Sequence, residues 1–169
     1  QQNQINYMNG VELNVTFAHP EYPKPVSLDF LGYQYDINNQ ALNKKLKELA
    51  QHRQERASQI LEKLNTEFEK HGITKFTNKD LQNIQNSADG ALGRPHIADY
   101  MIKQNIVKNR QEAFNTYLVK CNVPKFPLSL QDASQLIRDA NGILILAHPN
   151  DPYGTSLTKL ATDLNEQTK

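Results

Sequence analysis

The sequence predicts a mixed α/β domain, and three observations carry that expectation. Val11-Glu12-Leu13-Asn14-Val15-Thr16-Phe17 alternates apolar and polar residues strictly, the period of a half-buried strand. Ile143-Leu144-Ile145-Leu146-Ala147 is continuously apolar, short, and preceded by a helical stretch and Gly142, the pattern of a strand buried on both faces of a parallel sheet. Between them, apolar residues recur at spacings of three and four, the period of amphipathic helices.

Taken in order, Val11–Phe17 places Val11, Leu13, Val15 and Phe17 on one face. Pro20, Pro23 and Pro25 interrupt pairing and mark a loop. Val26-Ser27-Leu28-Asp29-Phe30-Leu31-Gly32-Tyr33 reads as a second strand, either the partner in a hairpin with a long connection or a neighbour in the same sheet. Asn38 or Asn39 can cap a long helix whose stripe runs through Leu42, Leu46, Leu49, Arg53, Ala57, Ile60, Leu64 and Phe68, with Gly72 as its stop. Shorter helices follow over Thr77–Gln85, Pro95–Gln104, Asn109–Leu118 and Ser129–Ala140. After the apolar strand, Thr155 or Ser156 opens a last helix to about Glu166.

The 169 residues are enough for one domain, or a large piece of one, at roughly 100–200 residues per domain. Lys plus Arg total 19 and Asp plus Glu 18, a net charge of +1 that argues against a polybasic nucleic-acid or membrane binder. Polarity comes instead from 15 Gln and 18 Asn. No apolar run approaches the roughly 18 residues that span a bilayer, and the first residues lack the basic and apolar regions of a signal peptide. Cys121 is the single cysteine, which excludes an internal disulfide or a thiolate-rich zinc site. The expectation is a cytoplasmic protein with no membrane partner.

Four places could carry chemistry. His148 directly follows the apolar strand at its C-terminal end, where ligands of α/β sheets bind; a strand-end histidine bonded to backbone is an equal reading. Glu12 lies on the face of its strand opposite Val11 and Leu13, the usual place for a solvated carboxylate. Asp29 interrupts Leu28-Asp29-Phe30-Leu31; buried, it needs a partner or a metal, and on a wet face it needs neither. Gly93-Arg94-Pro95-His96 places Arg94 and His96 on a first helical turn, which suits an anion; taken singly, an ordinary capped helix with two exposed polar side chains is the preferred reading. Arg53 and Arg56 read as solvated helix charges, His19 as a loop surface residue and His52 as helix surface. Glu12, Asp29 and His148 together offer oxygen and imidazole donors that suit Mn²⁺, Zn²⁺ or Fe²⁺.

The succession Asn9-Gly10-Val11-Glu12, Phe30-Leu31-Gly32-Tyr33, Arg53-Gln54-Glu55-Arg56, Gly93-Arg94-Pro95-His96-Ile97-Ala98, Ala113-Phe114 with Tyr117-Leu118, and Gly142 through Pro149 resembles the PHP (polymerase and histidinol phosphatase) family, in particular its metal-dependent phosphoesterases. The resemblance runs from Asn9 to His148. It implies part of a distorted (β/α)7 barrel, with barrel strands in 1–36, a helical insertion over 37–140 that covers the active site, and a barrel strand and helix in 141–169. It implies Glu12 and His148 as ligands of a cluster of up to three metal ions, with Asp29 where members carry histidine, and Arg94 and His96 beside a substrate phosphate. The implied reaction is hydrolysis of a phosphate ester of a nucleotide, a short oligonucleotide or a small metabolite, by in-line attack of a metal-bound hydroxide. The family's His-x-His and Asp-x-His motifs do not occur, so the expectation is an internal fragment of a longer enzyme that self-associates through exposed strand edges. The rival expectation is a non-catalytic binding or regulatory module derived from the same family.

Overall fold

A computed structural model describes residues 7–20, 22–88 and 92–148, together with positions 162 and 164. The chain divides into two compact units, 1–46 with 127–169, and 47–126. The helix expected from Thr155 or Ser156 to Glu166 lies outside the described residues, apart from Thr162 and Leu164.

The first unit is built on a three-stranded sheet in the order β1 (Gly10–Phe17), β2 (Val26–Tyr33), β3 (Ile143–Leu146). β1 and β2 are the expected neighbours and pair antiparallel, with Glu12 opposite Leu31 and Asn14 opposite Asp29. Alternation sorts the side chains: Leu13, Val15 and Phe17 of β1 and Val26, Leu28 and Phe30 of β2 are all buried on one face. An isolated two-stranded hairpin is marginal in water, so this face needs a cover. Helix α5 (Leu130–Asp139) provides it: Ser129 caps its start, and it buries Leu130, Ala133 and Ile137. The approach is close at Gly32, where an added Cβ would stand 2.6 Å from Ile137 Cδ1.

β3 departs from expectation. It is not a parallel strand buried on both faces; it runs antiparallel to β2, with Leu146 opposite Phe30 and Ile143 opposite Tyr33. The apolar run reports burial tendency but carries no information on strand direction. Cover on the α5 side reaches only Leu144 and Leu146, while Ile143 and Ile145 on the other face remain 54% and 49% exposed. Each neighbouring pair of the described sheet is antiparallel, and the described residues show the expected α/β mixture as a three-stranded antiparallel sheet with helices.

Helix α1 (Gln40–Lys70) starts in the first unit and continues into the second. Asn39 is its cap, accepting the Leu42 N–H at 2.9 Å. Its end follows the predicted glycine stop: Gly72 has φ +66°, and Ile73 N–H reaches back to the Phe68 carbonyl at 2.9 Å.

In the second unit, Phe68, Phe76, Tyr100 and Tyr117 pack edge to face with centroids 5.2–5.5 Å apart, inside a core that includes Leu64, Ile84, Ile97, Met101 and Leu118. α2 (Asn78–Asn86) opens with a Thr77/Asp80 capping box, and Tyr100 donates its hydroxyl to the same Asp80 at 2.6 Å. α3 spans Arg94–Lys103. The helix expected over Asn109–Leu118 is instead a short α4 (Arg110–Ala113) running into a wide π-turn, Phe114–Leu118, closed by Val119 N–H on the Phe114 carbonyl at 3.1 Å.

Candidate metal centre

The open face of the first unit's sheet carries the residues that alternation turns away from α5. Glu12 and Asn14 project there from β1, and Asp29 from the facing stretch of β2. The Asp29 backbone carbonyl accepts the Ala147 N–H at 2.8 Å, and His148, beyond the end of β3 and with φ +25°, departs from strand alternation and reaches this face. The three candidate ligands therefore meet: Glu12, Asp29 and His148 each place a donor atom within 4.8 Å of the others. His148 Nε2 lies 3.6 Å from Glu12 Oε1, with both side chains more than half exposed.

Two donors bound to one ion at about 2.1 Å can stand no more than about 4.2 Å apart, so closing on a metal takes side-chain movements of about half an ångström. Exposed side chains make such movements readily. Two carboxylates and one imidazole fit a borderline divalent ion and leave coordination positions for water or substrate. The donor set is thus compatible with a divalent metal.

Two features around the triad were not read from the sequence. Asn14 donates to Asp29 Oδ1 at 2.6 Å and is itself bonded to Ser27 Oγ at 2.8 Å, which fixes the carboxylate while leaving acceptor capacity on it. The signal was present in the alternation, which puts Asn14 on the Glu12 face. The second feature is backbone: His148 has φ +25°, outside the regions comfortable for a residue with a Cβ. Such conformations recur at ligand-binding positions.

Arg94 and His96 belong to the second unit. Arg94 occupies the first turn of α3, donates to the Leu118 carbonyl at 3.3 Å and lies over the Phe114 ring at 5.3 Å. His96 Nδ1 accepts the Gly93 N–H at 3.1 Å, which assigns the proton of a neutral ring to Nε2. Arg56, expected to be a solvated helix charge, is half-buried, with Nε on the Val123 carbonyl at 2.7 Å and a terminal nitrogen on Asn122 Oδ1 at 3.0 Å. Burial first, and then the positive charge of Arg94, draw the Arg56 guanidinium below its ordinary pKa. Arg53 is also half-buried. The expected surface histidines pack against rings: His19 stacks on Phe17 and His52 meets Phe126 edge to face. Among the described residues no helix is long and apolar enough to cross a membrane.

No family model matches the chain, and no curated protein matches it. Solved structures do. A protein provisionally assigned as a metal-dependent phosphoesterase, from Bifidobacterium adolescentis, superposes with a TM-score of 0.66 at 23% identity, over 91% of this chain and 53% of its own. An amidohydrolase from Chromobacterium violaceum, solved with bound sulfate and no metal, superposes with a TM-score of 0.68 at 26% identity, over 95% of this chain and 54% of its own. The chain spans about half the length of these structures.

Proposed function

We propose that this chain contributes to a divalent-metal-dependent hydrolase of the PHP type that cleaves phosphate esters, with Glu12, Asp29 and His148 as metal ligands. The observation that carries the reading is the convergence of these three donors within 4.8 Å. The likeness to structures assigned as a metal-dependent phosphoesterase and an amidohydrolase supports hydrolysis as the reaction class.

A divalent ion bound there would lower the pKa of a coordinated water and draw charge from the phosphoryl oxygens. The chain's own residues hold and orient. Glu12 and Asp29 bring two negative charges to the open face, and Asn14 keeps the Asp29 carboxylate pointed. His148 supplies an imidazole donor from backbone anchored to β2 through the neighbouring Ala147 N–H. Arg94 and His96, which the family resemblance would put beside a substrate phosphate, carry the chemistry for an anion within the second unit: the Arg94 guanidinium over Phe114 keeps further N–H donors for anionic oxygens, and a neutral His96 ring offers Nε2–H. Nucleotides, short oligonucleotides and small phosphorylated metabolites all fit this chemistry.

The test is titration of Mn²⁺, Zn²⁺ and Fe²⁺ into the chain by calorimetry, with phosphatase and phosphodiesterase assays on the loaded protein. Saturable metal binding that Glu12→Ala and His148→Ala each abolish is the expected result. Binding that is unchanged in both variants would remove the ligand assignment and leave the non-catalytic module as the reading.

A further inference from the structure

The Asn14 side chain is held in one orientation. It stands directly opposite Asp29 in the β1–β2 register. Its Nδ2 lies 2.6 Å from Asp29 Oδ1, 2.8 Å from Ser27 Oγ and 3.4 Å from the Leu28 carbonyl oxygen. A carboxylate and a carbonyl only accept, so the amide nitrogen must face them; the flipped amide would set oxygen against oxygen. Ser27 supports the arrangement from the other strand, donating its hydroxyl to Asn14 Oδ1 at 3.1 Å. The two oxygens of Asp29 are therefore unequal, because Oδ1 is committed to a donor on β1.

We propose that Asn14 is a specificity-determining residue: by engaging Oδ1 it restricts Asp29 to ligation through one oxygen, and so favours small divalent ions over Ca²⁺. This rests on the assignment of Glu12, Asp29 and His148 as metal ligands. A small divalent ion is served by a single carboxylate oxygen at about 2.0–2.2 Å, as zinc is. Ca²⁺ stands off at about 2.3–2.6 Å, takes about 6–8 oxygens and readily gathers two from one carboxylate. To give both, Asp29 must share Oδ1 between the ion and the Asn14 amide, at the expense of the 2.6 Å contact. The imidazole of His148 works in the same direction, because a nitrogen donor suits transition ions better than Ca²⁺. The selection is local. It depends on Asn14, Ser27 and Asp29 on two paired strands, and it holds whatever further ligands the ion takes.

Competition between Mn²⁺ and Ca²⁺ on the native, Asn14→Ala and Ser27→Ala chains tests it, with free Mn²⁺ read from its electron paramagnetic resonance signal and folding checked by circular dichroism. Asn14→Ala is expected to bind Mn²⁺ about 10–100-fold more weakly, the usual effect of losing a contact that supports a ligand, while its Ca²⁺ affinity does not fall. The Mn²⁺/Ca²⁺ affinity ratio then drops by the same factor. Ser27→Ala, at an exposed position, lowers the ratio in the same direction by a smaller factor, and it decides the matter if Asn14→Ala does not fold. A ratio in Asn14→Ala equal to the native one overturns the proposal, because a merely structural role weakens both ions alike. Should only Ser27→Ala fold, a native ratio there overturns it. Failure of the ligand assignment looks different: the native chain then holds Mn²⁺ no better than the Glu12→Ala and His148→Ala chains, and this inference falls with it.

Discussion

Asp29 and His148 are joined twice over: their side chains share one cluster, and the Asp29 carbonyl holds the N–H of Ala147, the residue before His148. The candidate metal centre is therefore an extension of the β2–β3 ladder, and its geometry depends on that register.

Asn14 is expected to matter to metal affinity without touching the metal. Its 2.6 Å hydrogen bond holds Asp29, and losing such a supporting contact typically weakens binding by about 10–100-fold. Asn14→Ala should show that loss in a calorimetric titration while its unfolding midpoint stays close to the native value. Equal affinity in the variant would mean that Asp29 is held by other means.

Gly32→Ala should destabilise the first unit by about 1–3 kcal/mol, because its Cβ would stand 2.6 Å from Ile137 Cδ1. Ile137→Val removes that methyl group. Urea unfolding of the double variant should show less loss than the two single variants summed, and strict additivity would refute the contact.

The Asp80 carboxyl is held below the ordinary aspartate range by hydrogen bonds from the Thr77 side chain, then the Tyr100 hydroxyl, then the Thr77 backbone. A carboxyl whose folded pKa is depressed contributes stability that is complete above its unfolded value of about 3.9 and is lost as pH falls through the lower folded value. Asp80→Asn should be less stable than the native chain at neutral pH, and the gap should narrow on acidification below pH ~4. A constant gap across that range would show that the charge is immaterial.

Arg94 should matter to the second unit. Its guanidinium lies 5.3 Å over the Phe114 ring while donating to the Leu118 carbonyl at 3.3 Å, a pair of contacts a lysine does not reproduce together. Arg94→Lys should cost about 1 kcal/mol in urea unfolding, and an unchanged midpoint would show that these contacts are immaterial.

Much of this was legible before any coordinates. Alternation in Val11–Phe17 gave the buried face, and Asn39, Thr77, Ser129 and Gly72 announced helix limits, because capping is local chemistry. Glu12, Asp29 and His148 could be named as candidate ligands from residue type and place, and the structure brings them together. Strand direction was not legible, since the Ile143–Leu146 run reads the same way in either orientation. Asn14 and Arg56 were missed because their roles come from long-range hydrogen bonds, to Asp29 and to Val123, which no local pattern encodes. The π-turn at Phe114 leaves the periodicity of the sequence almost unchanged, so it too was hidden.

The φ of +25° at His148 sets performance against robustness. Glycine would adopt that backbone with less strain, yet the position holds a side chain that can bind an ion. His148→Gly should then produce a chain that melts at a higher temperature when empty and gains nothing from added metal. Equal melting temperatures for the two chains would show that the backbone at this position stores no strain.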